Sequence, residues 1–217
     1  MRRQGEAACG CAPRIKMCGL FRREDILAAN RLLPDYVGFV FAPESRRYVE
    51  PRQAARLRAL LNPVIKTVGV FVQAEEREAA RLAKDGVIDL IQLHGNEKED
   101  YIRRLRMMTD CPLIKAFSID RPGVFGEMEA CTADFLLLDS GPGGTGRRLD
   151  WRQLAKEGYD SLKKPWFLAG GLTPENVEEA MELLRPWGLD VSSGIETGGK
   201  KDENKMAAFA AAVRKEG

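Results

Sequence analysis

Two residues of this 217-residue chain end apolar runs at points where a reactive group would be useful. Asp139 closes Phe135-Leu136-Leu137-Leu138 and opens a loop, 141 to 146, that holds four glycines. A buried strand that stops at a carboxylate and runs into a pliant loop is the form of a site at the carboxyl edge of a parallel sheet. The apolar run puts the Asp139 carboxyl in partly desolvated surroundings, which raise a carboxyl pKa and suit it to donate a proton near neutrality. Cys18 ends a shorter run, Ile15-Lys16-Met17-Cys18, before Gly19. A free cysteine commonly fills core space, but a place at a strand end argues for a working thiol. Lys16 shares its face in a strand of period two, and its ammonium would draw the thiol below its ordinary value of about 8.5. The expectation is a base, Cys18, and an acid, Asp139, facing each other across one pocket.

The elements that must hold them alternate along the chain. Strands are expected at Ile15 to Cys18, Tyr36 to Phe41, Ile65 to Val72, Val87 to Leu93, Leu113 to Phe117, Phe135 to Asp139, Pro165 to Ala169 and Leu189 to Val191. Helical spacing of apolar residues, with proline and capping signals, predicts helices at Arg22 to Leu33, Pro51 to Leu61, Ala74 to Lys84, Lys98 to Met108, Val124 to Ala130, Asp150 to Glu157, Thr173 to Leu184 and Lys201 to Lys215. At the start of the seventh helix Thr173 would cap, Pro174 would take the first turn, and Asn176 stands where Glu or Gln would complete a capping box. Strict alternation implies a parallel α/β sheet with right-handed crossovers. Eight units without a linker imply a single (β/α)8 barrel over 14–217, behind a flexible leader at 1–13. The alternative, a doubly wound open sheet, would carry Gly-x-Gly-x-x-Gly after its first strand, and Cys18-Gly19-Leu20 does not supply it.

A barrel works at the carboxyl ends of its strands, so the remaining candidates are Ser45 and Arg47, Gln92 and His94, Lys115, Gly170-Gly171, and Asp190 with Ser192-Ser193-Gly194. The glycines after strand seven and the hydroxyls, glycine and short turn after strand eight together form a phosphate site of the kind barrels build from backbone donors. Arg47 is either a solvated charge or a fork for a carboxylate. His94 either lines the pocket or makes a structural hydrogen bond, and Asp190 is a further candidate to touch substrate.

These residues recur as ordered motifs. Ile-Lys-Met-Cys-Gly-Leu at 15–20, Gly-Phe-Val-Phe-Ala-Pro-Glu-Ser-Arg-Arg-Tyr-Val at 38–49, Val-Gly-Val-Phe-Val at 68–72 and Ile-Gln-Leu-His-Gly at 91–95 come first. Leu-Leu-Leu-Asp-Ser with its glycine loop at 136–146, Leu-Ala-Gly-Gly-Leu-Thr-Pro-Glu-Asn-Val at 168–177 and Asp-Val-Ser-Ser-Gly-Ile-Glu at 190–196 follow. Together they resemble the phosphoribosylanthranilate isomerases of tryptophan biosynthesis over residues 14 to 215. The resemblance implies an Amadori rearrangement of N-(5-phosphoribosyl)anthranilate. In it, Asp139 would protonate the furanose ring oxygen, Cys18 would take the proton from C2′, and Arg47 would hold the anthranilate carboxylate. It implies no cofactor and no metal, because the chemistry is proton transfer alone. Ala169 stands where relatives often carry serine, which removes a hydroxyl and keeps the backbone donors.

Composition limits the alternatives. A net charge of +2 gives no reason to expect nucleic acid or membrane binding, though a local basic pocket is compatible with it. No apolar run is long enough to span a bilayer, and the polar leader does not read as a secretory signal. The expected setting is the cytoplasm, the expected partner a sugar phosphate carrying an anthranilate group, and the expected assembly a monomer or homodimer. Cys9, Cys11 and Cys18 lack a fourth metal ligand nearby. The related isomerase of the histidine pathway resembles the use of aspartate in place of the first-strand cysteine. It also often shows a second phosphate site after strand three, where this chain has Val72-Gln73-Ala74. A barrel that only binds a sugar phosphate would not need both proton-transfer groups.

Overall fold

The computed structural model describes residues 12–119, 123–139 and 150–215. The leader up to position 11, with Cys9 and Cys11, and the glycine loop at 140–149 lie outside the described residues. Eight parallel strands form a closed ring: β1 (Arg14–Cys18), β2 (Tyr36–Val40), β3 (Lys66–Phe71), β4 (Leu90–Leu93), β5 (Leu113–Ser118), β6 (Phe135–Asp139), β7 (Trp166–Leu168) and β8 (Gly188–Val191). The ring closes where β8 pairs with β1, Lys16 standing opposite Asp190. Helices alternate with the strands: α1 (Arg23–Leu32), α2 (Pro51–Leu60), α3 (Glu76–Lys84), α4 (Glu99–Arg106), α5 (Val124–Ala130), α6 (Trp151–Lys156), α7 (Val177–Leu184) and α8 (Glu203–Arg214). The architecture is the expected barrel and not the open sheet.

The period-two strand pattern divides the core in two. Met17, Val37, Phe39, Leu136, Leu138, Leu189 and Val191 pack in the layer shared with the helices. Val68, Leu90, Ile114, Ala116, Leu137, Phe167 and Ala169 form a separate cluster inside the ring. The same alternation turns Lys16, Cys18, Gln92, Asp139 and Asp190 toward the interior. At the amino-terminal end of the barrel aromatic rings fill that interior. Phe167 meets Trp187 edge-on at 5.1 Å and Tyr36 at 5.7 Å, with Phe135 at 6.3 Å. One end of the barrel is thus an apolar plug, and the polar side chains gather toward the other.

Several boundaries differ from expectation, and three of them have a local reason in the hydrogen bonding. β4 starts at Leu90, because the Val87 amide still donates to the Leu82 carbonyl at the close of α3. α7 is regular only from Val177, yet Val177 N–H already donates to the Thr173 carbonyl. Asn176 Oδ1 accepts from Thr173 N–H at 2.8 Å, so asparagine completes the backbone half of the capping box. α8 starts at Glu203, with the Asp202 side chain accepting from Asn204 and Lys205 N–H. Lys200 and Lys201 instead form β10 (Lys200–Lys201), a short hairpin strand against β9 (Glu196–Thr197).

Phe167 is fully buried at the centre of the plug. Phe167→Ala is expected to cost about 3–5 kcal/mol of stability, the range for a large core truncation. In urea titration the midpoint should fall with little change in slope. The Michaelis constant of the surviving folded enzyme should be unchanged, because the plug lies at the end of the barrel away from the reactive residues.

Candidate active site

Cys18 is 7% exposed at the end of β1 and packs against Val40 and Val70. Gly38 on β2 makes room for it, since a Cβ there would lie 2.7 Å from the Cys18 Sγ. Lys16 Nζ sits 2.8 Å from Asp190 Oδ1, and its charge also acts on the Cys18 thiol. Burial alone would lower the Lys16 pKa, but Asp190 and Cys18 outweigh it and hold Lys16 above the ordinary lysine value. The expected lowering of the thiol pKa is not found. Burial pushes the Cys18 thiol up, and the Lys16 ammonium does not reverse this because Asp190 stands beside it. Asp190, expected to touch substrate, is engaged by Lys16.

Asp139 ends β6, and β1 and β6 are not neighbours in the ring. Its carboxylate is 17% exposed, and Oδ2 lies 3.2 Å from His94 Nε2. On the far side of the ring, His94 Nδ1 lies 2.8 Å from Gln92 Nε2. His94 therefore bridges Gln92 and Asp139. Lys115, a strand-end candidate, alternates with the interior residues Ile114 and Ala116 and points the other way. Its ammonium donates to the Gly95 carbonyl at 2.7 Å and to Glu97 Oε2 at 3.2 Å. Glu97 accepts in turn from Gln73 N–H at 2.7 Å and Gly95 N–H at 2.8 Å, so this pair braces the turn that carries His94.

Arg47 lies over the end of β1, next to Cys18. Gly19 allows it, because any side chain at that position would collide with the arginine stem. Arg47 Nε and Nη2 donate to the two oxygens of Glu196 at 2.7 and 3.2 Å. Arg46 reaches the same carboxylate at 2.6 Å, and Lys201 reaches it at 2.8 Å. Burial would raise the Glu196 carboxyl, but Arg47 and Lys201 bring it down to about 2. Three cations against one carboxylate leave two surplus positive charges at this edge, the local basic pocket that the near-neutral chain permitted.

The loops after β7 and β8 come together. Gly170 and Gly171 both adopt left-handed backbone, with φ of 81° and 71°. Gly194 packs so tightly on the Leu172 carbonyl that a Cβ there would overlap it. Ser193 opens a single 3-10 turn through Ile195. The Ser192 hydroxyl donates to the Cys18 carbonyl at 3.0 Å and accepts from Lys201 at 3.2 Å, so it ties this edge to β1. Among the described residues no group of three or more His, Cys, Asp or Glu side chains is arranged to hold a metal, and no helix is long and apolar enough to cross a membrane.

The family model for N-(5'-phosphoribosyl)anthranilate (PRA) isomerase matches residues 15–212. A curated relative from Endomicrobium trichonymphae, N-(5'-phosphoribosyl)anthranilate isomerase, is 43% identical over 198 residues, covering 89% of this chain and 94% of its own. The chain belongs to the PRA isomerase family. The crystal structure of the Thermus thermophilus PRA isomerase superposes with a TM-score of 0.83 at 36% identity, over 93% of this chain and 98% of that one. A PRA isomerase solved with reduced 1-(o-carboxyphenylamino)-1-deoxyribulose 5-phosphate has a TM-score of 0.82 at 32% identity, over 94% and 99% of the two chains. The PRA isomerase reaction converts an aldose derivative to a ketose in tryptophan biosynthesis, and it is the activity of this chain.

Three members of this PRA isomerase site escaped residue-by-residue reading. Glu196 and Lys201 sit in a short hairpin and Glu97 in a loop, where no period marks a side chain as buried. The available signal was a carboxylate just past Gly194 in a chain where a free Arg47 was expected.

Glu196 titrates at about 2 in the folded protein against 4.5 for the free side chain. Its contribution is therefore whole above pH 4.5 and is lost as pH falls through the folded value. Between pH 7 and pH 3 the parent should lose about 2 kcal/mol more unfolding free energy than Glu196→Gln. Parallel urea titrations read this difference, and equal losses would mean that Glu196 is not the ionised partner of Arg47 and Lys201.

Proposed function

We propose that Asp139 is the general acid and Cys18 the general base of the rearrangement, and that Arg47 holds the anthranilate carboxylate. The observation that carries this is placement. Both proton-transfer groups point into the ring from non-adjacent strands, and Arg47 is laid over the end of the strand that bears Cys18. Asp139 gives its proton to the furanose ring oxygen, and the C1′–O bond breaks to leave a protonated Schiff base at C1′. Cys18 removes the C2′ proton, and the electron pair of that bond moves to the imine to form an enolamine. Tautomerisation of the enol to the C2′ ketone completes the isomerisation, and protons move without any change in total charge or oxidation level.

The burial that pushes the Cys18 thiol up makes its thiolate a strong base once formed. Lys16 and Lys201 are the cations that offset the thiolate charge. The sugar phosphate is taken up by the backbone of Gly170, Gly171, Ser193 and Gly194, beside the surplus positive charge around Glu196. Ser192 acts there as a tie to β1. His94 contributes through Asp139, and Asp190 contributes through Lys16. The enzyme works in the cytoplasm. A Thermotoga maritima relative is described as dimeric, and a homodimer is the assembly to test for this chain against a monomer.

Turnover is followed by the loss of substrate fluorescence on freshly generated phosphoribosylanthranilate. Cys18→Ala and Asp139→Asn should each lower kcat by at least about 100-fold, the lower end of general acid–base contributions, while product binding persists. Arg47→Ala should act mainly on KM. A variant of Cys18 or Asp139 that keeps parental turnover would overturn that residue's assignment.

A further inference from the structure

We propose that Gln92 is a positioning residue for the acid: its amide N–H keeps His94 a neutral imidazole protonated on Nε2, and that ring holds Asp139. This rests on the reading of Asp139 as the proton donor. Gln92 points into the ring from β4 and is 1% exposed. Its Nε2 lies 2.8 Å from His94 Nδ1. A ring nitrogen that receives a donor must present its lone pair, which leaves the ring proton on Nε2. That N–H lies 3.2 Å from Asp139 Oδ2, an acceptor. One tautomer serves both contacts, with Gln92 donating to Nδ1 and Nε2–H donating to Asp139.

The consequence concerns the charge beside the acid. A second proton on Nδ1 would set N–H against the N–H of Gln92, so the ring stays neutral. An imidazolium there would pair with Asp139 and hold it as carboxylate, the wrong state for a group that must give up a proton. A neutral N–H donor orients the carboxyl without that penalty. Among the described residues, Lys115 and Glu97 near this turn are bonded to each other and to Gly95.

Glutamine here uses only one end of its amide among the described residues. Its Oε1 is buried and has no hydrogen-bond partner among the described residues. A buried carbonyl left unpaired is a net cost to folding. An unbranched apolar side chain of similar length would fill the same space without it. Gln92 is a buried polar residue whose donor is aimed at the ring that touches Asp139.

His94 is the only histidine in the chain. Protein labelled with 15N-histidine therefore reports the two nitrogens of this one ring by NMR. At neutral pH the parent should show Nδ1 without a proton and Nε2 with one. Gln92→Glu replaces the donor by an acceptor, so both nitrogens should carry protons, and kcat should fall at least about tenfold with KM nearly unchanged. Gln92→Met should keep or raise the urea midpoint while lowering kcat. A parent ring protonated on Nδ1, alone or with Nε2, overturns the proposal, as would parental kcat in both variants. Failure of the underlying reading looks different: Asp139→Asn would then retain turnover while the parent His94 spectrum stayed as expected.

Discussion

Lys16 and Asp190 meet at 2.8 Å across the seam where β8 closes onto β1, and they are register partners as well as an ion pair. Both side chains are inside the barrel, where an isolated ion would cost several kcal/mol. A slip of one residue at this seam would turn one charge out into the apolar layer against the helices and strand the other. The pair therefore constrains the closing register more than it adds stability. Cys18 lies two residues beyond Lys16 on the same face, so the contact that closes the ring also aims the proposed base.

The same device recurs around the mouth. Asp190 holds Lys16, Glu97 holds Lys115, and Glu196 holds Arg46, Arg47 and Lys201. Each carboxylate is buried, and each pins a different segment of the working edge: β1, the His94 turn, and the loops that carry Arg47 and Ser192. Loops that must present donors to an anionic substrate cannot be held by apolar packing alone, because their backbone groups have to stay available. Buried ion pairs supply the rigidity instead, and opposite them the amino-terminal mouth is closed by rings with no such demand. The surplus positive charge that remains around Glu196 lies where a phosphorylated, carboxylated substrate would be drawn.

The proposed acid and the proposed base are held by different means. Cys18 is buried against Val40 and Val70, with Lys16 the cation that acts on it most. Asp139 is more open and is reached through His94. Burial pushes the Cys18 thiol up, whereas the Asp139 carboxyl keeps a hydrogen-bonded contact with His94 at 3.2 Å.

Much of this was legible in the linear chain. Period-two strands alternating with period-3.6 helices carry the barrel, because each pattern depends only on which face of one element is buried. Strand ends carry Cys18, Asp139, His94 and the paired glycines, because an apolar run that stops at a polar residue marks a sheet edge. Even the capping role of Asn176 follows from its spacing to Thr173. What the chain could not reveal alone are the partners that lie far apart in it. Asp190 stands 174 residues from Lys16, Glu196 is 149 from Arg47, and Asp139 is 45 from His94. Proximity in sequence suggested that Lys16 would lower the Cys18 thiol, but burial and the distant Asp190 decided otherwise. Charge balance at a buried group is a sum over everything that surrounds it in space, and only the closed barrel determines what those neighbours are.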